Sequence, residues 1–214
     1  MEFHPNGRGL AKGDKELKRI IENFDPLHPE ESVEDLLKLR ELSVSINQES
    51  QREYFASKLN SIIAQCLGLH IEALSDSEFL SDGAPAEAKL EFLLRKNLKA
   101  EVKVKNVQIA KLDKKLDISL VANKSNTEKL SFICSNANSQ PYWLRARYVN
   151  IYEIREVDNI GKPENDPALS AKIRLSIMGH DLEINVPLNY KFSDRVKGEI
   201  IRPVVIVPAV VVSS

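Results

Sequence analysis

Across residues 75–85 the apolar side chains of this sequence change their spacing from a helical period to a period of two, in a polar stretch that ends in Gly83-Ala84-Pro85. That change rules out one helical bundle or one all-β domain from end to end. Before it, Leu17, Ile20, Ile21 and Phe24 recur at helical spacing and predict a helix over 14–24, stopped by Asp25-Pro26. Ser32 then stands as an N-cap, with Glu34 and Asp35 where the helix dipole favours negative charge. Val33, Leu36, Leu37, Leu39 and Leu42 supply the stripe of a second helix. A third, over 49–67, offers Phe55, Leu59, Ile62, Ile63, Cys66 and Leu67 to a core, and Gly68 sits where a left-handed cap residue is wanted.

After the change, Leu90, Phe92 and Leu94 alternate with charged neighbours, as do Val102 and Val104, then Leu116, Ile118 and Leu120, then Leu130, Phe132 and Cys134. Ile173, Leu175 and Ile177 lead into a turn at Met178-Gly179-His180-Asp181. Leu182, Ile184, Val186, Leu188 and Tyr190 run back from it, with Pro187 marking an edge or an irregularity. The run over 200–212 is broken by Pro203 and Pro208, which predicts an edge strand or an exit to a following domain. The expected fold is mainly β with an N-terminal α-helical segment. Three helices over 1–74 form a small bundle or collar, 75–85 is a linker, and 86–214 is an immunoglobulin- or fibronectin-like sandwich of seven or eight strands.

The formal net charge of −1 carries no basic excess, which argues against a nucleic-acid partner. Charge is nevertheless segregated: eleven acidic against six basic residues over 14–55, and nine basic against five acidic over 86–117. Two solvated faces explain this, and so does a docking surface between the two parts. Cys66 and Cys134 lie in apolar settings on different elements and read as buried thiols. No window is long and apolar enough to span a membrane.

The four histidines, His4, His28, His70 and His180, stand in no metal-ligand pattern, and no nucleophile elbow or phosphate loop is present. His28-Pro29-Glu30-Glu31 has the right residue types for a metal site but lies on a connector between helices, with no further ligands converging on it. The expectation is therefore a chain without catalytic residues, metal or cofactor. The most unusual stretch holds Pro141, Tyr142, Trp143, Leu144, Arg145, Arg147 and Tyr148. Aromatic faces beside hydrogen-bonding groups suit a sugar, which makes Tyr142, Trp143, Arg145 and Arg147 candidate carbohydrate-binding residues. The competing expectation is that Trp143 and Leu144 anchor the core while the arginines face outward.

Several of these segments resemble one family. They are Asn6-Gly7-Arg8-Gly9-Leu10, Phe24-Asp25-Pro26, Leu67-Gly68-Leu69 and Gln140-Pro141-Tyr142-Trp143-Leu144. With them go the segment from Val186 to Phe192 and the one from Val196 to Glu199. Together they are similar to the region downstream of the catalytic domain in large multidomain bacterial LmbE-like (PIG-L) deacetylases. The resemblance implies an accessory region of a zinc-dependent enzyme acting on N-acetylglucosaminyl substrates, whose own site uses an Ala-His-Pro-Asp-Asp strand end. His28-Pro29-Glu30-Glu31 departs from that motif in both acids, so no catalytic role transfers. The role this resemblance implies is a module that positions or stabilises the catalytic domain, with a carbohydrate-binding module as the alternative. Its partners are other domains of the same polypeptide and a glycan. The compartment is periplasmic or secreted where the parent carries a signal peptide.

Overall fold

A computed structural model describes residues 8–98, 100–146, 154 and 159–210. The helical part comprises α1 (Arg8–Glu22), α2 (Val33–Leu42) and α3 (Glu49–Cys66). Ser32 occupies the position before α2, yet its side chain makes no capping bond, because a 3-10 turn over Pro29–Ser32 already leads the chain in. Helix α2 buries Val33, Leu36, Leu37 and Leu39. Helix α3 buries Leu59, Asn60, Ile63 and Cys66, while Phe55 and Ile62, expected inside, are 39% and 42% exposed. At about 100° per residue, these two lie on the flank of the buried face rather than at its centre.

Gly68 takes φ +58 and ends α3 as its position foretold. The chain does not then enter a linker. Residues 69–75 form β1 and residues 79–81 form β2, both ahead of the expected start of the β part. The remaining strands are β3 (Pro85–Leu94), β4 (Val102–Ile109), β5 (Leu112–Leu120), β6 (Ser125–Ile133), β7 (Ser170–Ile177), β8 (His180–Asp194), β9 (Gly198–Pro203) and β10 (Val205–Val207).

The expected immunoglobulin- or fibronectin-like sandwich is not confirmed. The strands form one nearly closed mixed sheet in the order β5-β4-β7-β8-β1-β3-β6, with β9 added to β8 and a separate pair β10-β2. All pairs in the large sheet are antiparallel except β1 with β8. The two ends of the strand order approach each other. Asn123 N–H donates to Leu94 O at 2.7 Å, and Lys114 Nζ of β5 lies 3.5 Å from Glu128 of β6. Pro187, which has no N–H to give, sits in a central strand and not at an edge: there β8 leaves β7 and takes β9 as partner.

Registers align the strand ends. Leu69 faces Leu94, Val102 faces both Leu120 and Ile177, and Ile177 faces His180, so these residues share one end of the sheet. The helical layer meets that end. Asn60 Nδ2 donates to Glu183 O at 2.9 Å, His180 Nδ1 lies 3.1 Å from Glu41, and Lys96 N–H donates to Leu67 O at 3.1 Å. One continuous apolar cluster runs from Leu37, Ile63 and Leu67 to Phe92, Val104, Ile173 and Leu182. Both cysteines are free and buried, as expected, and burial pushes each thiol up from its ordinary value.

Candidate functional site

The opposite end of the sheet carries the long connection from β6 to β7. Cys134 ties its start to the turn before β3, donating to Ala84 O at 2.9 Å and accepting from Gly83 N–H at 2.7 Å. Ser139 runs beside β10: its N–H donates to Ile206 O at 2.7 Å, and its Oγ accepts from Ile206 N–H at 2.9 Å. Pro141, fixed at φ −50, then sets the chain into a 3-10 turn over Tyr142–Leu144.

That turn directs Tyr142 inward. The residue is 8% exposed, its hydroxyl donates to Lys162 O at 3.1 Å, and its N–H donates to Asn165 Oδ1 at 2.9 Å. Asn165 Nδ2 in turn donates to Gln140 O at 2.6 Å, so the aromatic turn and the 159–169 stretch are stitched together through polar groups. The Trp143 ring meets the Tyr142 ring edge to face, with centroids 4.9 Å apart and planes at 86°. Trp143 is half-buried, and Leu144 is 44% exposed.

The expectation that Trp143 and Leu144 anchor the core is therefore corrected. Tyr142 is the buried ring, bonded to the 159–169 stretch, and Trp143 stands at the wall of an open groove of about 900 Å³. Asn136, Gln140, Arg145, Asn165 and Val204 line the groove with it. Arg145 is exposed, as anticipated, and Arg147 lies outside the described residues. The structure thus gathers Trp143 and Arg145 at one site and places Tyr142 behind them as support.

Sequence reasoning missed the opposite wall. Asn165, Asp166 and Ala168 come from a stretch rich in Pro and polar residues, and Pro203, Val204 and Val205 from the last strands. The one signal in the sequence was the cluster Pro163-Glu164-Asn165-Asp166-Pro167, which marks an ordered polar loop. Asn136 Nδ2 donates to Ala168 O at 3.1 Å, and Lys162 holds Asp166 at 2.9 Å. Amide side chains, the Arg145 guanidinium, the carboxylates of Glu164 and Asp166 and one large ring thus line the groove.

Elsewhere, His28 lies 3.6 Å from Glu30 and His70 is exposed, while His4 falls outside the described residues. Among the described residues no three His, Cys, Asp or Glu side chains converge as a metal site would need, and no helix is long and apolar enough to cross a membrane.

No family model matches the chain, and no curated protein matches it. Among solved structures it is similar to the Pseudomonas fluorescens alkylpurine DNA glycosylase AlkC bound to DNA containing an abasic site analog. The TM-score is 0.27 and the identity 10%, over 75% of this chain and 46% of that one. At this TM-score the likeness carries no argument.

Proposed function

We propose that this chain is a non-catalytic accessory module whose groove beside Trp143 binds carbohydrate. The observation that carries this reading is the partly exposed Trp143 ring, packed edge to face with buried Tyr142 in a groove lined with amides. A ring presented in this way gives an apolar face to the C–H side of a sugar, and amide and guanidinium groups meet its hydroxyls. A fully buried tryptophan would have removed the basis for it. The module would act without metal or cofactor. Its parent, on the resemblance of the aromatic and Val186–Phe192 segments, would be a multidomain LmbE-like deacetylase.

A second reading, a scaffold that docks on another domain of the same polypeptide, is favoured by Ile21, Phe24 and Leu27. These are 65%, 43% and 78% exposed near the end of α1 and in the turn after it. One experiment separates the readings: glycan-array binding and calorimetric titration of the purified chain beside its Trp143→Ala variant. Saturable glycan binding that the variant loses, with its thermal transition largely kept, supports the carbohydrate site. An absence of glycan binding by the parent chain across neutral, amino and acidic sugars overturns it and leaves the scaffold.

A further inference from the structure

Ile21, Phe24 and Leu27 recur every three residues through the end of α1 and the turn behind it, and all three are exposed. A loose segment carries exposed apolar side chains at little cost, but this one is fixed. Asp25 Oδ1 accepts from Leu27 N–H at 2.9 Å, and Asp25 O accepts from His28 N–H at 3.1 Å. From the loop after β3, Lys96 Nζ donates to Leu27 O at 3.1 Å and lies 3.1 Å from Glu30. The Leu27 side chain is thus held out in solvent from a backbone pinned on both sides. An anchor that is already ordered loses little freedom when a partner covers it.

Charge selects what covers it. Residues 20–31 hold Glu22, Asp25, Glu30 and Glu31 and no lysine or arginine. Lys96 neutralises Glu30, but Glu22 and Glu31 are exposed, and their side chains have no partner among the described residues. With Asp25 they outweigh Lys18, the cation one turn before Ile21 on α1. We infer that this stripe docks a basic amphipathic segment of another domain. Apolar side chains of that segment would cover Ile21, Phe24 and Leu27, and its lysines or arginines would meet Glu22, Asp25 and Glu31. A second copy of the same face would set these carboxylates against one another, and they would repel an anionic membrane. The inference rests on the docking reading, to which it gives a partner of stated chemistry, and it does not depend on the groove beside Trp143.

The test is a fluorescence-anisotropy titration of the whole chain with two labelled helical peptides that share one leucine stripe, flanked by lysines in one and by glutamates in the other. The parent protein should bind the lysine peptide saturably and about tenfold more tightly than the glutamate peptide, and added salt should narrow the gap. Leu27→Asp should weaken lysine-peptide binding about tenfold with the thermal transition kept, since the side chain is exposed. Reversing two charges, Glu22→Lys with Glu31→Lys, should reverse the preference between the peptides. Equal binding of both peptides overturns the inference, as does lysine-peptide binding undiminished by Leu27→Asp. A preference for the glutamate peptide that Leu27→Asp removes keeps the docking face but overturns its basic partner, whereas a parent that binds neither peptide overturns both. A dimer in sedimentation that Leu27→Asp abolishes makes the occupant a second copy and overturns the inference too.

Discussion

Tyr142 and Trp143 are neighbours in sequence with opposite surroundings, and substitution should tell them apart. Tyr142→Ala removes a buried ring and its hydroxyl hydrogen bond and should cost about 3–5 kcal/mol, whereas Tyr142→Phe, which loses only the bond to Lys162 O, should cost about 1 kcal/mol. Trp143→Ala, at a half-buried position, should cost no more than roughly half the ~3 kcal/mol of a fully buried side chain; urea melts of the three variants check this ordering. One expectation from the sequence placed Trp143 and Leu144 in the core. The core is instead filled by aliphatic side chains with Phe92 and Phe132, and the 3-10 turn after Pro141 buries Tyr142 against the 159–169 stretch outside that cluster, a direction that composition does not encode. Glu30 gives a second test. Its carboxyl is held below its ordinary value of 4.5, first by its own backbone N–H and then by Lys96, whose Nζ lies 3.1 Å away, against an opposing effect of burial. A depressed carboxylate stabilises the fold above its unfolded value and loses that contribution as pH falls through the folded one. Glu30→Gln should therefore melt lower than the parent at neutral pH and converge with it in acid. A gap that stays constant down to the acid transition would refute the linkage.

The turns and helix ends that punctuate the elements are where backbone conformation decides the outcome. Gly68 carries φ +58, and a Cβ added there would stand 2.9 Å from the Cβ of Arg95, so Gly68→Ala should cost about 1–2 kcal/mol, read from chemical denaturation. Met178 and Gly179 connect β7 to β8 with φ +53 and +84, the sign pattern of a two-residue I′ turn, in which methionine is poorly suited to its place. Met178→Asn should stabilise the hairpin by about 0.5–1 kcal/mol, seen as a raised denaturation midpoint. These elements were legible because period-two alternation from Ala86 onward matches a sheet with one covered face. Strand β1 was not, since Leu69, Ile71 and Ala73 come after α3 with only Leu67 and Gly68 between, and an apolar run there extends the helix as readily as it starts a strand. Strands β2 and β10 have three residues each, too few for alternation to register. The strand count of seven or eight was sound, but count does not fix topology. The parallel pairing of β1 with β8 joins residues more than a hundred positions apart, and no local pattern announces it.

At the scale of the molecule, the question is whether the change of hydrophobic period across residues 75–85 is also a boundary in stability. The expectation from the geometry is that it is not. Strand β1 lies between β8 and β3 inside the sheet, so the chain enters the β part before the polar stretch, and a cut there would separate β1 from its partners. The apolar cluster crosses the same line, with Leu37, Ile63 and Leu67 of the helical layer joined to Leu94, Val102 and Ile177 of the sheet. A helical layer of three elements with so few buried side chains has little stability of its own, because short isolated helices are marginal in water. Trp143 supplies a reporter far from the helices, at the opposite end of the strands. The expected outcome is a single unfolding transition in which the helical circular dichroism signal and Trp143 fluorescence share one midpoint, and the calorimetric and van't Hoff enthalpies agree. If the helical signal melts first while Trp143 keeps its folded emission, then residues 8–66 are an autonomous layer. In that case the period change in the sequence marks two folding units after all.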